Sequence, residues 1–502
     1  MVRAEMIARL ADVRVPWDVL VIGGGATGLG AAVDAAERGY RTVLLERGDF
    51  ASATSSRSTK LIHGGVRYLR QGNLGLVRES LRERERLLRN APHLVRSLPF
   101  VLPTYRPGER AFYGAGLWIY DKLAGRSSLV GTSLLSPQET RERLPTLRAD
   151  NLRGGVLYHD AQFDDARLAV SLAQTFVAHG GVALNYFPVV ALRKENGRVR
   201  GVLARDTESA GEYEIAARVV INATGIFSDE VRRLDEPKSR ALLTYSQGAH
   251  VVLPRAFLPG DTALLVPRTD DGRVLFAIPW FGRVLLGTTD TPIDRPLENP
   301  RPLSLEVDYL LEHAARYLVR PPSRADILSC FAGVRPLLRG KEGQTSQLAR
   351  DFAVKVAASG LVTVAGGKWT TYRAMGEAAV GTAARVGGLP SRACATHELP
   401  LRDARPQLDS LLSNEPSLRE ILHPRLPYCL GDVACAIRFE QARTVEDVLS
   451  RRTRALILDA AASIEAAPRV AALLARELGR DAAWECAQAT AFTTLARGYL
   501  PS

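Results

Sequence analysis

The sequence predicts an α/β protein in three parts: a Rossmann-type nucleotide-binding domain, a domain built on an antiparallel sheet, and an all-α C-terminal domain. Three observations carry this. A glycine-bearing strand–helix–strand pattern stands near the start, short apolar strands fill the middle, and helical periodicity takes over from about residue 395. A length of 502 residues suits two or three cores rather than one.

The first element is "WDVLVIGGGATGLGAAVDAAERGYRTVLLERGD", which begins at Trp17. A buried strand runs into a glycine turn, then an alanine-rich helix ending near Gly39, then a second strand ending in an acid. Gly23, Gly25 and Gly28 stand in G-x-G-x-x-G register. In that pattern the first glycine permits the tight turn, the second lets a pyrophosphate approach the backbone, and the third lets helix pack on strand. The helix N-terminus then faces the phosphates, and Glu46 falls where a ribose hydroxyl is bound.

Two later segments look like returns to the same sheet. "RVVINATG" is an apolar strand ending in a glycine turn at Gly225, and "LVTVAGGKWTTYR" is a strand, a turn at Gly367 and a helix start. A nicotinamide enzyme more often completes its sheet without interruption, whereas a flavoprotein brings the chain back to cover a long FAD. FAD is therefore the expected cofactor. Thr370 and Thr371 lie at the second helix start, whose positive end favours a reduced flavin.

Between the returns, "GAHVVLP", "TALLVP", "RVLFAIPW" and "RVLLGTTD" read as successive strands of an antiparallel sheet. The interruptions imply a discontinuous FAD-binding domain over 15–90, 150–235 and 325–390, with a substrate domain over 91–149 and 236–324. The helical domain covers 395–502. In it Thr444 and Asp447 have capping-box spacing, and Val445, Val448, Leu449 and Leu456 recur at helical intervals. It carries no catalytic signature and reads as a packing or membrane-docking cap.

Composition removes several classes. The five cysteines include no C-x-x-C pair and no tight cluster, so neither zinc nor an iron–sulfur cluster is expected, and their scarcity suits a reducing, cytoplasmic setting. No apolar run approaches the roughly 18 to 20 residues that span a bilayer. The first apolar stretch already belongs to the nucleotide motif, which argues against a signal peptide. Lysine and arginine outnumber the acids by 66 to 54, a net charge of +12, and such a surplus points to anionic partners. Nucleic acid is disfavoured because aromatics to interleave with the basic residues make up only 7% of the chain.

Taken together, "GGGATGLGAAVDAAERG", "TSSRSTKLIHGGVRYL", "DDARL", "INATG", "GAHVVLP", "GTTDT", "GVRPLL", "ARDF" and "GGKWTTYR" resemble the FAD-dependent glycerol-3-phosphate dehydrogenase family, within the D-amino-acid-oxidase-like flavoproteins. The match runs in order from about Trp17 to Gly376, and "ACAIRFEQARTVEDVLSRRTR" resembles that family's helical C-terminal domain. The family usually carries tryptophan at the position of Phe227.

The resemblance implies uses for the cationic segments. Thr54, Ser55, Ser58 and Lys60, Leu61 and Ile62 run along the pyrophosphate and ribityl chain, and Gly64 lets the segment pass close to the ring. His63, Arg67 and Tyr68 then face the substrate. A three-carbon phosphate ester needs several cations to replace its water. By analogy Arg67, Arg350 and Lys368 hold the phosphate, while Arg335 steadies the hydroxyl carbon and its developing oxyanion.

The implied chemistry is oxidation of sn-glycerol 3-phosphate to dihydroxyacetone phosphate, which needs a base near neutral pKa. His250 and His63 are the two histidines in family-like motifs, with His250 preferred. The implied electron acceptor is a membrane quinone, reached by a chain lying on an anionic membrane at the inner face of the cell membrane rather than crossing it; a homodimer is compatible with this reading. Two alternatives stand beside it: an FAD oxidase of amines or amino acids on the same fold, and a non-enzymatic flavin or RNA-associated module.

Overall fold

Strand Trp17–Ile22 is the centre of the first sheet. Val19, Leu20 and Val21 have no exposed surface, the condition of a parallel strand covered on both faces. The structure, a computed structural model, describes residues 1–11, 15–65, 73–125, 129–267, 269–270, 272–339 and 352–501. The central strand pairs in parallel with Thr42–Leu45 on one side and with Glu212–Asn222 on the other. Val182–Leu184 and Val362–Gly366 extend the sheet in parallel, and Phe352–Val356 closes one edge antiparallel. Both predicted returns therefore join the first sheet, Glu212–Asn222 beside the first strand and Val362–Gly366 one strand further out.

Helices Ala26–Glu37, Asp165–Ala178 and Tyr372–Gly387 supply one continuous apolar core with alternate residues of the sheet, Val19, Val21 and Ile221 among them. Leu20 and Ile22 point the other way and meet Met6 and Leu10 of helix Arg3–Leu10. This helix precedes residue 15, where the sequence places the start of the domain. It is tied down by Arg3, which donates to the Asn185 carbonyl at 2.6 Å and pairs with Asp206 at 2.6 Å.

The second sheet has ten strands and is antiparallel except where Ala263–Val266 lies parallel to Val95–Thr104. Two of its strands, Gly154–Phe163 and Ser329–Leu338, fall within the sequence segments 150–235 and 325–390 assigned to the nucleotide domain, yet they hydrogen-bond here. Each is buried along nearly all its length, so it shows no alternation from which sheet membership could be read. The register of the second strand sets Phe331 opposite His250 and Arg335 opposite Ser246. At a period of two, all four side chains lie on one face.

The C-terminal domain has its own apolar core, formed by helices Leu430–Glu440, Ala460–Leu478 and Ala482–Arg497 and the segments between them. Asp459 and Asp481 cap the last two by accepting from Ala462 and Trp484. The expected capping box is present: Thr444 Oγ1 accepts from Asp447 N, and the Asp447 carboxylate accepts from Thr444 N, both at 3.1 Å. The turn it opens, Asp447–Arg452, is wound as a π-helix.

Candidate active site

A cavity of about 650 Å³ opens where the first return, at Ala223 to Gly225, meets the first glycine turn. Gly23, Gly25, Glu46, Thr54, Ser55 and Gly225, all expected on the cofactor, line it. Gly23 has φ +110°, and a Cβ there would sit 2.6 Å from the Ala223 carbonyl; one on Gly28 would sit 1.8 Å from the Gly23 carbonyl. The turn thus admits no side chain at either position, and the helix begins directly beneath the cavity. The Glu46 carboxylate accepts from Gly24 N at 2.6 Å and Gly48 N at 2.8 Å. Burial raises its pKa while these two bonds oppose the rise.

The segment after Glu46 is held from three directions. Ser55 Oγ accepts from Ala26 N, in the first turn of the glycine-motif helix, at 2.9 Å. Thr54 donates to the Val334 carbonyl at 2.7 Å, next to Arg335, and Trp369 Nε1 donates to the Ser55 carbonyl at 2.9 Å. The side chains of Ser58 and Lys60, expected on the cofactor, are engaged elsewhere. Both donate to Asp165 at 2.7 Å, and Lys60 has no exposed surface. Burial pushes the Lys60 ammonium down to about 8, with Asp165 opposing that shift. Leu61 and Ile62 form a short strand against Gln162 and Ala161 and are buried. Lys60 and Asp165 neutralise each other with no exposed side-chain surface on either, which explains a lysine in so buried a place.

At the far end, Gly64 N donates to the Tyr120 hydroxyl at 2.7 Å, and Tyr120 donates to Asp160. His63 N donates to Thr370 Oγ1 at 3.4 Å, and that hydroxyl is 3.4 Å from the His63 carbonyl. Thr370 and Thr371 are buried at the start of the Tyr372–Gly387 helix, with Gly367 in the turn before it and Lys368 half-buried beside them. Arg335 is paired with Asp290 at 3.1 Å and donates to Thr288 Oγ1 and the Thr289 carbonyl, each at 3.0 Å. Arg67, Tyr68 and Arg350 lie outside the described residues.

The two histidines differ in access. His250 is 2% exposed, stacks on Phe331 at 4.7 Å, and meets Thr59 Oγ1 through Nε2 at 2.9 Å. Burial, reinforced by the charges of Lys60 and Arg335, holds its pKa well below the ordinary histidine value. It lies under the loop that carries Thr59. His63 is half-buried.

Sequence reasoning missed Tyr186, Glu446 and Arg451, which also line the cavity. It also left open what Phe227 does: the Arg47 guanidinium stacks 3.7 Å from its ring centre, and both residues line the cavity wall. The cavity fits FAD on its own geometry, with a helix N-terminus, a carboxylate at the ribose position, and a cradle at Gly25 where a Cβ would come within 3.0 Å of Ser55 Oγ.

Comparison with known proteins agrees with this. Residues 18–378 match the model of the FAD dependent oxidoreductase family, and 404–485 match the C-terminal domain of alpha-glycerophosphate oxidase. The chain is 39% identical to a probable mitochondrial glycerol-3-phosphate dehydrogenase of Caenorhabditis elegans, over 94% of this chain and 72% of that one. It is 36% identical to the mitochondrial enzyme of Saccharomyces cerevisiae, over 92% and 86%. The structure of the Bacillus halodurans glycerol-3-phosphate dehydrogenase complexed with FAD superposes with a TM-score of 0.79 at 29% identity, covering 99% of this chain and 97% of that one.

Proposed function

From the premise that this chain belongs to the FAD-dependent glycerol-3-phosphate dehydrogenase family, we propose that it oxidises sn-glycerol 3-phosphate to dihydroxyacetone phosphate and delivers the electrons to a membrane quinone. The observation that carries the reading is the convergence of the cofactor loop, the second helix start and Arg335. Thr54 joins the loop to the strand of Arg335, and Trp369 joins it to the turn of Lys368.

FAD, held at the turn of Gly23, Gly25 and Gly28, would supply the two-electron oxidising power for a secondary alcohol. The protein supplies charge and a proton acceptor. Lys368, with Arg67 and Arg350, binds the phosphate. Arg335, fixed in direction by Asp290 and Thr288, contributes its positive charge at the substrate hydroxyl as its proton leaves. Of the two histidines, His63 is the better acceptor. His250 is buried and its pKa is far below neutrality, whereas an effective base has a pKa near the working pH and reaches the substrate.

Membrane contact is proposed on two grounds. The net charge is +12. On helix Glu109–Ala124, Phe112 and Trp118 are exposed, with Lys122 Nζ 5.2 Å from the Trp118 ring centre, an aromatic and cationic pairing suited to a lipid interface. Among the described residues no helix is long and apolar enough to cross a membrane.

The test is anaerobic addition of glycerol 3-phosphate to the purified yellow protein. Bleaching, followed by recovery of colour on adding a short-chain quinone, is the expected result. Bleaching by an amine or amino acid and not by the ester would replace this reading with the oxidase one, and slow recovery with quinone beside fast recovery with oxygen would remove the quinone step.

A further inference from the structure

The C-terminal domain grips the cofactor loop at two places, and both grips come from one short stretch, Arg451 to Arg454. At the first, Asp49 accepts from Arg451 Nε at 2.6 Å and from Arg452 at 2.7 and 2.8 Å. Arg451 also binds Glu446 at 2.7 Å and Asp447 at 2.8 Å, and Tyr186 donates to Asp447 at 2.6 Å. At the second, Arg454 donates to the Ser56 carbonyl at 2.8 Å and to Asp165 at 2.9 Å. Asp49 lies just beyond Glu46, and Ser56 follows the Ser55 that meets Ala26 N. The segment between Glu46 and Ser56 is thus pinned at both ends by guanidiniums about 400 positions away in the chain.

These contacts cost more than a packing cap requires. Arg451, Arg452 and Arg454 are 3%, 5% and 1% exposed, and ions taken this far from water gain little net stability from being paired. Arg454 also adopts φ +65°, a left-handed backbone that arginine seldom takes. What the array does provide is direction: forked donors set the loop in one place. Asp49 and Arg451 line the same cavity as Glu46 and Ser55, so that place is the cofactor wall.

We propose that Arg451, Arg452 and Arg454 are positioning residues for FAD, which hold the Asp49–Ser56 segment against the glycine turn and make cofactor retention depend on the C-terminal domain. The proposal rests on reading the cavity as the FAD site. It concerns a domain in which the sequence shows no catalytic signature.

The test uses the full chain stripped of flavin and reconstituted. Arg451→Met and Arg454→Met, each of which leaves a buried carboxylate with one cation fewer, are expected to melt lower than the parent as apoproteins but to remain folded at the assay temperature, and there to bind FAD at least ten-fold more weakly, measured by flavin fluorescence quenching. At saturating FAD, their KM for glycerol 3-phosphate is expected to stay within two-fold of the parent, and Arg451→Lys should recover part of the FAD affinity. Asp49→Asn, which keeps one acceptor oxygen, turns the other into an N–H donor and removes the buried charge, is the second variant and is expected to lose FAD affinity likewise. Folded variants with FAD affinity within two-fold of the parent would overturn the proposal.

Hydrogen exchange on the unmodified protein tests it without substitution. FAD is expected to protect amides at 447–454 together with those at 46–56, and protection confined to 46–56 would also overturn it. Failure of the parent itself to bind FAD would instead remove the cofactor reading.

Discussion

Trp369 donates its indole N–H to the Ser55 carbonyl at 2.9 Å across 314 positions of sequence. The same ring meets Phe163 edge-on at 5.7 Å and Tyr372 at 5.8 Å, so one side chain fastens the start of the return helix to the cofactor loop. Trp369→Phe keeps most of the apolar packing and loses the bond, which is worth roughly 0.5 to 1.5 kcal/mol. The expected outcome is a folded protein that releases FAD several-fold faster, read as flavin fluorescence appearing after dilution. An unchanged release rate would show that the bond does not steady the loop.

Gly25→Val tests the glycine turn. A Cβ at that position already comes within 3.0 Å of Ser55 Oγ, and two further methyl groups would fill the space a pyrophosphate needs. The variant should fold and be colourless. Retained yellow colour at the parent's flavin content would show that the cofactor lies elsewhere.

His250 predicts an acid-side loss of stability. Its folded pKa is held far below 6.5, so below pH 6.5 the unfolded chain takes up a proton that the folded chain refuses. Stability then falls as pH drops, by up to roughly 1.4 kcal/mol per unit from this group. His250→Gln should be less stable than the parent at pH 7 but should lose stability less steeply between pH 6.5 and 5, as followed by thermal melting. His250→Gln should keep the parent's dependence of rate on pH, whereas His63→Asn should lose most of the rate at every pH.

Lys368 as a phosphate-binding cation predicts a substrate effect without a cofactor effect. Lys368→Ala should keep its flavin and raise the KM for glycerol 3-phosphate about ten- to hundred-fold, the loss of charge-assisted bonds of roughly 1.5 to 3 kcal/mol. Glycerol, which lacks the phosphate, should be oxidised equally poorly by variant and parent. Unchanged constants for the ester would place the phosphate away from Lys368.

Association with anionic vesicles should weaken as salt rises, because the screening length shrinks from about 10 Å at 0.1 M to 3 Å at 1 M. Trp118→Ala should weaken the part that survives high salt. Cosedimentation measures both, and no binding at low salt would remove the membrane contact.

The nucleotide site was legible because its signals are local. Gly23, Gly28 and Glu46 act through backbone geometry that neighbouring residues dictate. What was not legible depends on distance. Gly154–Phe163 and Ser329–Leu338 are covered on both faces, so no alternation in their own residues says which sheet they join. Ser58 and Lys60 carry groups suited to a phosphate, and only the fold brings Asp165 within 2.7 Å of each. The Arg451–Arg454 stretch looks like a solvated helix surface, since charged residues at helical spacing usually are one. The available clue was that arginines crowd between Leu449 and Leu456, both positions on the apolar stripe.

The order of the first sheet sets a timetable for synthesis. Strand Trp17–Ile22 finds one neighbour, Thr42–Leu45, almost at once, but the other, Glu212–Asn222, follows roughly 200 residues later. At roughly 5 to 20 residues per second the open edge waits about 10 to 40 s on the ribosome. Helix Tyr372–Gly387, which helps cover the sheet and the cofactor end, emerges later still. Over that interval the half-built sheet offers an unpaired apolar strand to any similar strand nearby. The yield of active flavoprotein in a cell is then governed by chaperones and translation speed at this stage as much as by the stability of the finished molecule.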